Sequence, residues 1–286
     1  MPNLYSRVIL TLLAFMLATA PRAASAQQRP LVTEDPETIG AGRVLVEGGV
    51  DYSWDVEFPA SGLQGNLLRI PLIGFSVGVS SIAELQIDGG LHNRLSITGQ
   101  DPSAPLAGML TVTDDTTGDV EDIAIGTKVR IVSEGMRRPA FGFRFATRLP
   151  NANNETGLGL DTTDFYASIL VGKTVRSTRV VGNIGLGIIG DPVRADRQND
   201  VTLYGVSLAR ALTNRAELVG EVNGWLNSRH DALIASDSRS IVRLGARYTI
   251  GTWRADGAIL FGITPHDPAF GFAAGATYVF DAFRVP

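Results

Sequence analysis

Residues 83–94, Ala-Glu-Leu-Gln-Ile-Asp-Gly-Gly-Leu-His-Asn-Arg, place an apolar or small side chain at every second position and a polar one between. In a β-strand successive side chains point to opposite faces, so Leu85 and Ile87 share one face while Glu84 and Asp88 share the other. A helix would distribute both sets around its circumference. The stretch therefore predicts a strand with one apolar and one ionic face.

The same alternation recurs from Arg43 onward. It predicts twelve strands, at about 43–52, 66–79, 83–95, 121–132, 139–149, 162–175, 179–189, 201–211, 215–226, 239–250, 252–263 and 269–280. The second strand departs from the pattern, because both of its faces are apolar and Pro71 lacks a ladder N–H. We expect a bulge or a sheet edge there.

The connections between these strands alternate in length. The long ones are predicted at 53–65, 96–120, 150–161, 190–200 and 227–238, with a shorter sixth at 264–268. An even strand number, with long loops on one rim and short turns on the other, is typical of outer-membrane barrels. A soluble sandwich would also alternate, but it would have no reason to sort its loops by rim. Aromatic residues near strand ends, such as Trp54 and Trp253, also favour the barrel, because interfacial girdles lie there.

The N-terminus carries a predicted export signal. Arg7 precedes the apolar run 8–20, and Ala24 and Ala26 are the small residues that a signal peptidase recognises. The run is too short to span a bilayer, which takes about 20 apolar residues. We predict a cleaved signal peptide over 1–26 and location in the outer membrane of a Gram-negative cell. The fold class is then all-β, a transmembrane antiparallel up-and-down barrel of about twelve strands over 43–280.

Composition excludes several classes of function. The chain has 286 residues and no cysteine, which excludes a disulfide framework, a thiolate metal site and a cysteine nucleophile. Its net charge is −4, and it becomes −6 when the leader takes Arg7 and Arg22 away. This charge gives no basic field for phosphates. We expect no nucleic-acid partner, no cofactor and no metal.

Two segments flank the predicted barrel. Residues 27–42 contain Glu34, Asp35 and Glu37 without alternation, so they predict a non-strand segment in the periplasm or folded into the lumen as a constriction. Residues 281–286 form a C-terminal tail. Either Phe280 or Phe283 is expected to be the aromatic signal that the barrel-assembly machinery reads.

The ionic faces, if they point inward, line the lumen with charge. Acidic residues on the third and ninth strands then neighbour basic residues on the fourth and tenth. The candidate lumen-lining residues are Glu84, Asp88, Lys128, Arg130, Arg144, Glu217, Glu221, Arg243 and Arg247. They form cross-strand ion pairs that hold the wall, or they form a polar eyelet that passes a small solute.

The sequence has few motifs that are typical of enzymes. The outer-membrane phospholipases need a His two residues before a Ser, and none of His92, His230 and His266 has one. A protease on the loop rim would need paired acids with a His–Asp couple. Asp114-Asp115 and His230-Asp231 supply those residue types, although solvated loop acids or cation binding explain them as well. We predict that the protein is not an enzyme.

Several stretches resemble one family of outer-membrane proteins. The stretches are Arg29-Pro30, Thr33–Thr38, Gly42–Val50, Asp119–Val129, Ala140–Pro150, Thr163-Asp164, Asn214–Leu218 and Gly275–Phe280. Together they resemble the MetA-pathway-of-phenol-degradation family across nearly the whole mature chain. The resemblance implies a barrel with a transporter-like role for hydrophobic or aromatic small molecules, and it implies no catalytic residues.

Two hypotheses of different class follow. The first is a passive channel for a small-molecule solute. The second is a structural or receptor-like barrel that its own ion pairs and loop 96–120 close. Either would have outer-membrane lipid and lipopolysaccharide as neighbours. A hydrolase at the loop rim ranks third.

Overall fold

The structure is a computed structural model that describes residues 29–194, 196–229 and 234–284. The predicted leader, 1–26, lies outside these residues. The strands of the described part are β1 (Arg43–Phe58), β2 (Leu63–Gly78), β3 (Ala83–Gly90), β4 (Asn93–Gln100), β5 (Thr116–Asp119), β6 (Ile123–Val132), β7 (Ala140–Leu149), β8 (Asp164–Val175), β9 (Thr178–Gly190), β10 (Gln198–Ala211), β11 (Ala216–Leu226), β12 (Arg239–Ile250), β13 (Trp253–Gly262) and β14 (Phe270–Asp281). Short 3-10 turns occur at Ala107–Met109 and Asn154–Thr156. None of the described helices is long and apolar enough to cross a membrane.

The strands form one closed antiparallel sheet. The ring closes because β1 pairs with β14 on one side and with β2 on the other. β3 and β4 pair with successive parts of β2 and together fill the third strand position, and β5 and β6 fill the fourth in the same way. The barrel therefore has twelve strand positions, which confirms the predicted fold class.

The third and fourth positions are split at one height of the barrel. Pro71 cannot donate to the ladder, and here the Ile70 N–H donates to the His92 carbonyl at 2.8 Å while the Leu91 N–H donates to the Pro71 carbonyl at 3.0 Å. In the pairing with β1, Ile70 and Pro71 together lie opposite Val50, and this extra residue reverses which side chains of β2 face inward. This explains why both faces of that strand are apolar in sequence. The expected bulge is confirmed, whereas the alternative of a sheet edge is wrong because β2 is paired on both sides.

The two rims differ in their connections. Among the described residues, the long-loop end carries 59–62, 101–115, 150–163, 191–194, 196–197, 227–229, 234–238 and 263–269, and the short-turn end carries 79–82, 133–139, 176–177, 212–215 and 251–252. The predicted long loop at 53–65 is wrong, because residues 53–58 and 63–65 continue β1 and β2. The predicted loop 96–120 is likewise shortened to 101–115 by strand pairing of β4 with β5.

The barrel exposes apolar side chains and buries ionic ones. Leu85 is 47% exposed and Leu244 is 52% exposed, whereas Glu84 and Lys128 are 0% and 1% exposed. A water-soluble sandwich would bury its leucines and solvate its charges. The inverted arrangement excludes the sandwich and matches a barrel whose outer face meets lipid.

Aromatic rings form two clusters on the outer surface. Near the long-loop end, Phe270 lies 5.3 Å from both Trp54 and Phe261, measured between ring centroids. Near the short-turn end, Trp253 and Tyr278 are 4.6 Å apart. Trp253 and Phe261 lie about 26 Å apart along one strand at the usual rise per residue, which is roughly 20 Å along the axis of a barrel whose strands tilt by about 40°. The clusters therefore border a band close to the roughly 25 Å apolar belt of such barrels.

Candidate functional site

Residues 29–42 cross the inside of the barrel, and we call them the inner segment. At one side the Arg29 guanidinium donates to the Ala274 carbonyl of β14 at 3.0 Å. At the other, the Glu34 N–H donates to Asn183 Oδ1 of β9 at 2.7 Å, and Asn183 Nδ2 donates to the Glu34 carbonyl at 2.8 Å. A segment bonded to both β14 and β9 spans the lumen.

Carboxylates of the wall accept hydrogen bonds from the backbone of the inner segment. Glu221 accepts the Val32 and Thr33 N–H groups, each at 2.8 Å. Glu84 accepts the Ile39 N–H at 2.7 Å. Buried N–H groups need partners in the absence of water, and ionised acceptors make the stronger bonds. The wall carboxylates thus give these N–H groups the acceptors that a neighbouring strand would supply.

A buried charge cluster holds the centre of the inner segment. Glu34 lies 3.3 Å from Lys128 Nζ and 2.9 Å from Arg144 Nε, and Lys128 also lies 3.0 Å from Glu84. The side chains of Lys128 and Glu84 are each 1% exposed. Charges taken out of water are tolerated only when they are paired with good geometry. Lys128 therefore neutralises one carboxylate of the wall and one of the inner segment.

The other two carboxylates of the inner segment also meet wall cations. Arg179 donates to Asp35 through two nitrogens, at 2.8 and 2.6 Å, in the forked geometry of strong arginine–carboxylate pairs. Arg130 pairs with Glu37. The three acidic residues that the sequence places in 27–42 are thus bound one by one to the barrel.

Six of the sequence-predicted lumen residues form three cross-strand pairs. The pairs directly opposite in register are Glu84 with Lys128, Glu221 with Arg243, and Glu217 with Arg247. Their shortest nitrogen–oxygen distances are 3.0, 3.0 and 3.8 Å. Four of these side chains also bond the inner segment. Glu84, Lys128 and Glu221 do so as described above, and Arg247 Nε donates to the Arg29 carbonyl at 2.7 Å.

The remaining three candidates have other neighbours than the sequence suggests. Asp88 lies opposite Ala124, so it is beside neither Lys128 nor Arg130 in register. Its carboxylate lies 3.8 Å from Arg144 of β7 instead. Arg130 turns to the inner segment. The partner of Asp88 thus lies one strand position beyond the fourth strand, where the sequence predicted it.

Glycines of the inner wall make room for the inner segment. The sequence analysis did not predict this role. A Cβ on Gly49 would lie 2.2 Å from the Arg29 guanidinium, whereas one on Gly48, which faces outward, would meet nothing within 4 Å. Other close approaches of this kind are Gly78 against Gly40, Gly142 and Gly172 against Pro36, and Gly205 against Thr33. The inner wall is therefore shaped to the inner segment.

Three cavities lined by described residues occupy other parts of the lumen. Cavity 1, of about 400 Å³, lies against the inner segment, and cavity 2, of about 250 Å³, lies at the long-loop end. Cavity 3, of about 190 Å³, lies between them. Asp122 and Arg148 line all three. Of the predicted loop 96–120, only Val120 lines one of these three cavities, whereas the inner segment lines cavity 1 through Leu31, Val32 and Glu34.

Arg148 is held where the cavities meet. It pairs with Asp164 and lies 3.8 Å from Asp122. Asp164 also accepts the Tyr166 hydroxyl and the Gly190 N–H, each at 3.0 Å. The guanidinium is therefore neutralised and positioned between the cavities.

The structure describes only two of the four enzymatic candidates. Asp114 and Asp115 are exposed on the long-loop end, and His230 and Asp231 lie outside the described residues. Within the described ranges, no group of three or more His, Asp or Glu could hold a metal ion. A pair that the sequence did not predict, His266 Nδ1 with Glu57 at 2.8 Å, joins loop 263–269 to β1.

Comparison with known proteins shows similarity in structure only. No protein-family model matches the chain, and no curated protein matches its sequence. The COG4313 outer membrane channel from Pseudomonas putida F1 has a TM-score of 0.61 at 12% identity, covering 86% of this chain and 98% of that one. The NanC porin has a TM-score of 0.49 at 7% identity, with 82% and 98% covered. The CymD monoaromatic hydrocarbon channel has a TM-score of 0.45 at 9% identity, covering 87% of this chain and 91% of that one. The first of these shows that the fold is shared with an outer-membrane channel.

Proposed function

We propose that the protein is a passive outer-membrane channel for small solutes whose lumen is constricted by the inner segment. The observation that carries this proposal is the series of three cavities that share Asp122 and Arg148. They lead from the long-loop end down to the inner segment. In outer-membrane barrels the long loops face the cell exterior and the short turns face the periplasm, so the constriction lies on the periplasmic side.

The solute is small and at least partly apolar. Cavity 2 is lined largely by apolar side chains, among them Phe58, Leu160 and Ile189. The resemblance to the MetA-pathway family, which we also propose as the family of this chain, implies hydrophobic or aromatic solutes. Asp88 and Arg144 are the two candidate residues that line cavity 1, so they are the ones expected to touch a solute.

The proposed organisation of the chain follows the sequence. Residues 1–26 direct export and are cleaved off, 27–42 form the constriction, 43–280 form the barrel and 281–286 form a tail. Phe280 lies one residue before the end of the last strand, with its ring 5.4 Å from Tyr278, which supports Phe280 over Phe283 as the signal for the barrel-assembly machinery. Membrane lipid and lipopolysaccharide would surround the outer face.

A planar-bilayer recording tests the constriction. We expect the refolded chain lacking residues 29–40 to give conductance steps several-fold larger than those of the full mature chain. Folding of both proteins is checked by the different gel mobility of boiled and unboiled samples. Equal conductance in the two proteins would remove the constriction from the proposal. Silence of both folded proteins would favour the closed barrel.

A matched pair of leucine variants tests placement in the membrane. Leu244 lies in the middle of β12 and Leu212 in a turn at the short-turn end, and they are 52% and 55% exposed. In lipid, Leu244→Arg should destabilise the barrel by about 2–4 kcal/mol and Leu212→Arg by about 0–1 kcal/mol. Urea unfolding in lipid vesicles measures both, and equal effects would contradict a membrane-spanning barrel.

The closed structural barrel is the second candidate. It is favoured by the fit between the glycines of the wall and the inner segment, since a permanent part of the structure would be shaped in this way. No described arrangement favours an enzyme.

A further inference from the structure

Cavity 2 contains a cation and a donor that the protein leaves without an anionic partner. Trp225 of β11 lies directly opposite Arg239 of β12, and both line the cavity. The indole Nε1 of Trp225 is buried and has no hydrogen-bond partner among the described residues. Arg239 donates to the His266 carbonyl, and no described carboxylate forms an ion pair with it within 4 Å.

The acidic side chains near Arg239 are Asp267, Asp237 and Glu57, and two of these three are bonded elsewhere. Asp267 accepts the Ser240 N–H at 2.9 Å and the Thr264 hydroxyl at 2.6 Å. Glu57 pairs with His266. By contrast, Arg144 and Arg243 lower in the lumen each lie within 3.0 Å of a carboxylate oxygen. Arg239 therefore differs from these inward arginines in keeping its charge available.

Most of the rest of the cavity is apolar, and the cavity has the size of one ring. Its apolar side chains are Val56, Phe58, Leu67, Leu158, Leu160 and Ile189. The other charged side chains that line it are Glu57, which pairs with His266, and Asp122 and Arg148, which lie 3.8 Å apart. A cavity of about 150 Å³ accommodates benzene, and this one measures about 250 Å³. Aromatic faces and edges pack well against aromatic side chains such as Phe58. The space thus suits a substituted benzene.

We propose that cavity 2 binds a small arenecarboxylate. Its carboxylate would be held by the Arg239 guanidinium and the Trp225 N–H, and its ring would lie against Phe58 and Leu160. Hydrogen bonds to charged groups are stronger than hydrogen bonds between neutral groups, so the site discriminates an anion from a neutral compound of the same shape. A plain hydrocarbon would leave both donors unsatisfied. This inference rests on the proposed function only in that the bound anion is taken as a solute of the channel.

Tryptophan fluorescence tests the site directly. The chain has three tryptophans, and replacing the outer-surface Trp54 and Trp253 by Phe leaves Trp225 as the reporter. The full chain, refolded into phosphatidylcholine vesicles, is titrated with benzoate and with neutral benzamide. We expect benzoate to bind at least tenfold more tightly. Arg239→Gln should weaken benzoate binding at least tenfold and change benzamide binding less than twofold.

Two further variants make the result specific. Arg239→Lys keeps the positive charge and should retain the preference for benzoate. Arg210→Gln removes a charge at the short-turn end and should leave the benzoate titration unchanged. Gel mobility of unboiled samples shows that each variant is folded. Equal binding of the two compounds, the same benzoate affinity in Arg239→Gln, or no saturable change in Trp225 fluorescence would overturn the proposal.

The test separates this site from the channel function. Conductance steps without benzoate binding would overturn the arenecarboxylate site and leave the channel. Benzoate binding that depends on Arg239 would support the site even if the chain lacking 29–40 stays silent in the bilayer, and only the channel would then be lost.

Discussion

The inner segment and cavity 2 hold their polar groups in different ways. Each acidic side chain of the inner segment meets a wall cation, as Glu34 does with Lys128. In cavity 2, Trp225 has a buried N–H without a partner, and Arg239 has no described carboxylate within 4 Å. Paired charges hold the inner segment, and unpaired donors face cavity 2. The predictions below test this difference, beginning with the largest effect.

Lys128→Met should produce the largest loss of stability. It leaves the buried carboxylates of Glu84 and Glu34 without their shared cation, and breaking a buried ion pair costs about 3–5 kcal/mol. Denaturant unfolding in vesicles measures the loss. Arg210→Met, at the exposed short-turn end, is the control and should change stability little. A loss below 1 kcal/mol in Lys128→Met would show that water reaches the charge cluster.

Gly49→Ala and Gly48→Ala should separate the inner face from the outer one. The new methyl group at position 49 would meet the Arg29 guanidinium at 2.2 Å and the Ala274 carbonyl at 2.8 Å, whereas the one at position 48 meets nothing within 4 Å. Overpacking of this kind costs about 1–3 kcal/mol. Proteolysis of the inner segment, followed by mass spectrometry, should increase for Gly49→Ala only. Equal protection in both variants would contradict a close fit of the inner segment.

Acidification should weaken the hold on the inner segment only at low pH. Burial raises the pKa of Glu34, but the charges of Lys128 and Arg144 outweigh it and hold that pKa below its ordinary 4.5. The stabilisation is therefore complete above pH 4.5 and is lost as the pH falls through the lowered value. Conductance should rise as the pH falls below 4.5, because the inner segment then loses its charge pairs. Glu34→Gln should lack this rise, and an equal rise in Glu34→Gln would contradict the assignment.

The smallest effect is expected from an ion pair at the long-loop end. Asp200 and Arg229 lie 3.9 Å apart with side chains 55% and 54% exposed. Exposed pairs contribute about 0–1 kcal/mol, so Asp200→Asn should change the unfolding free energy by less than about 1 kcal/mol. The same urea titration used for Lys128→Met measures it. A larger loss would mean that position on the rim, rather than burial, determines the value of an ion pair here.

Local alternation predicts the wall and much of its charge pairing. Glu221 and Arg243 can be placed on the same face of neighbouring strands, because a period of two residues fixes side-chain direction and short turns join consecutive strands. The loop at 53–65 is mispredicted because β1 and β2 extend past the lipid belt. There the outer face meets water, and alternation is no longer required.

Contacts between distant parts of the chain could not be predicted in this way. Val32 and Glu221 are 189 residues apart, and nothing periodic in residues 29–42 indicates a partner. The glycines at 49 and 205 give no signal either, since their role depends on what lies across the lumen. The free donors of cavity 2 require knowledge of where every neighbouring carboxylate is bonded.

The inner segment also has a consequence for the order of assembly. It precedes every strand of the chain, yet the bond from Arg29 to Ala274 joins residues 245 positions apart. That bond cannot form until β14 exists, and contacts between such distant residues form slowly. Because β1 and β14 complete the ring, the inner segment must be inside when they pair or enter afterwards from the short-turn end. A part of the chain made before any strand is thus among the last to be anchored.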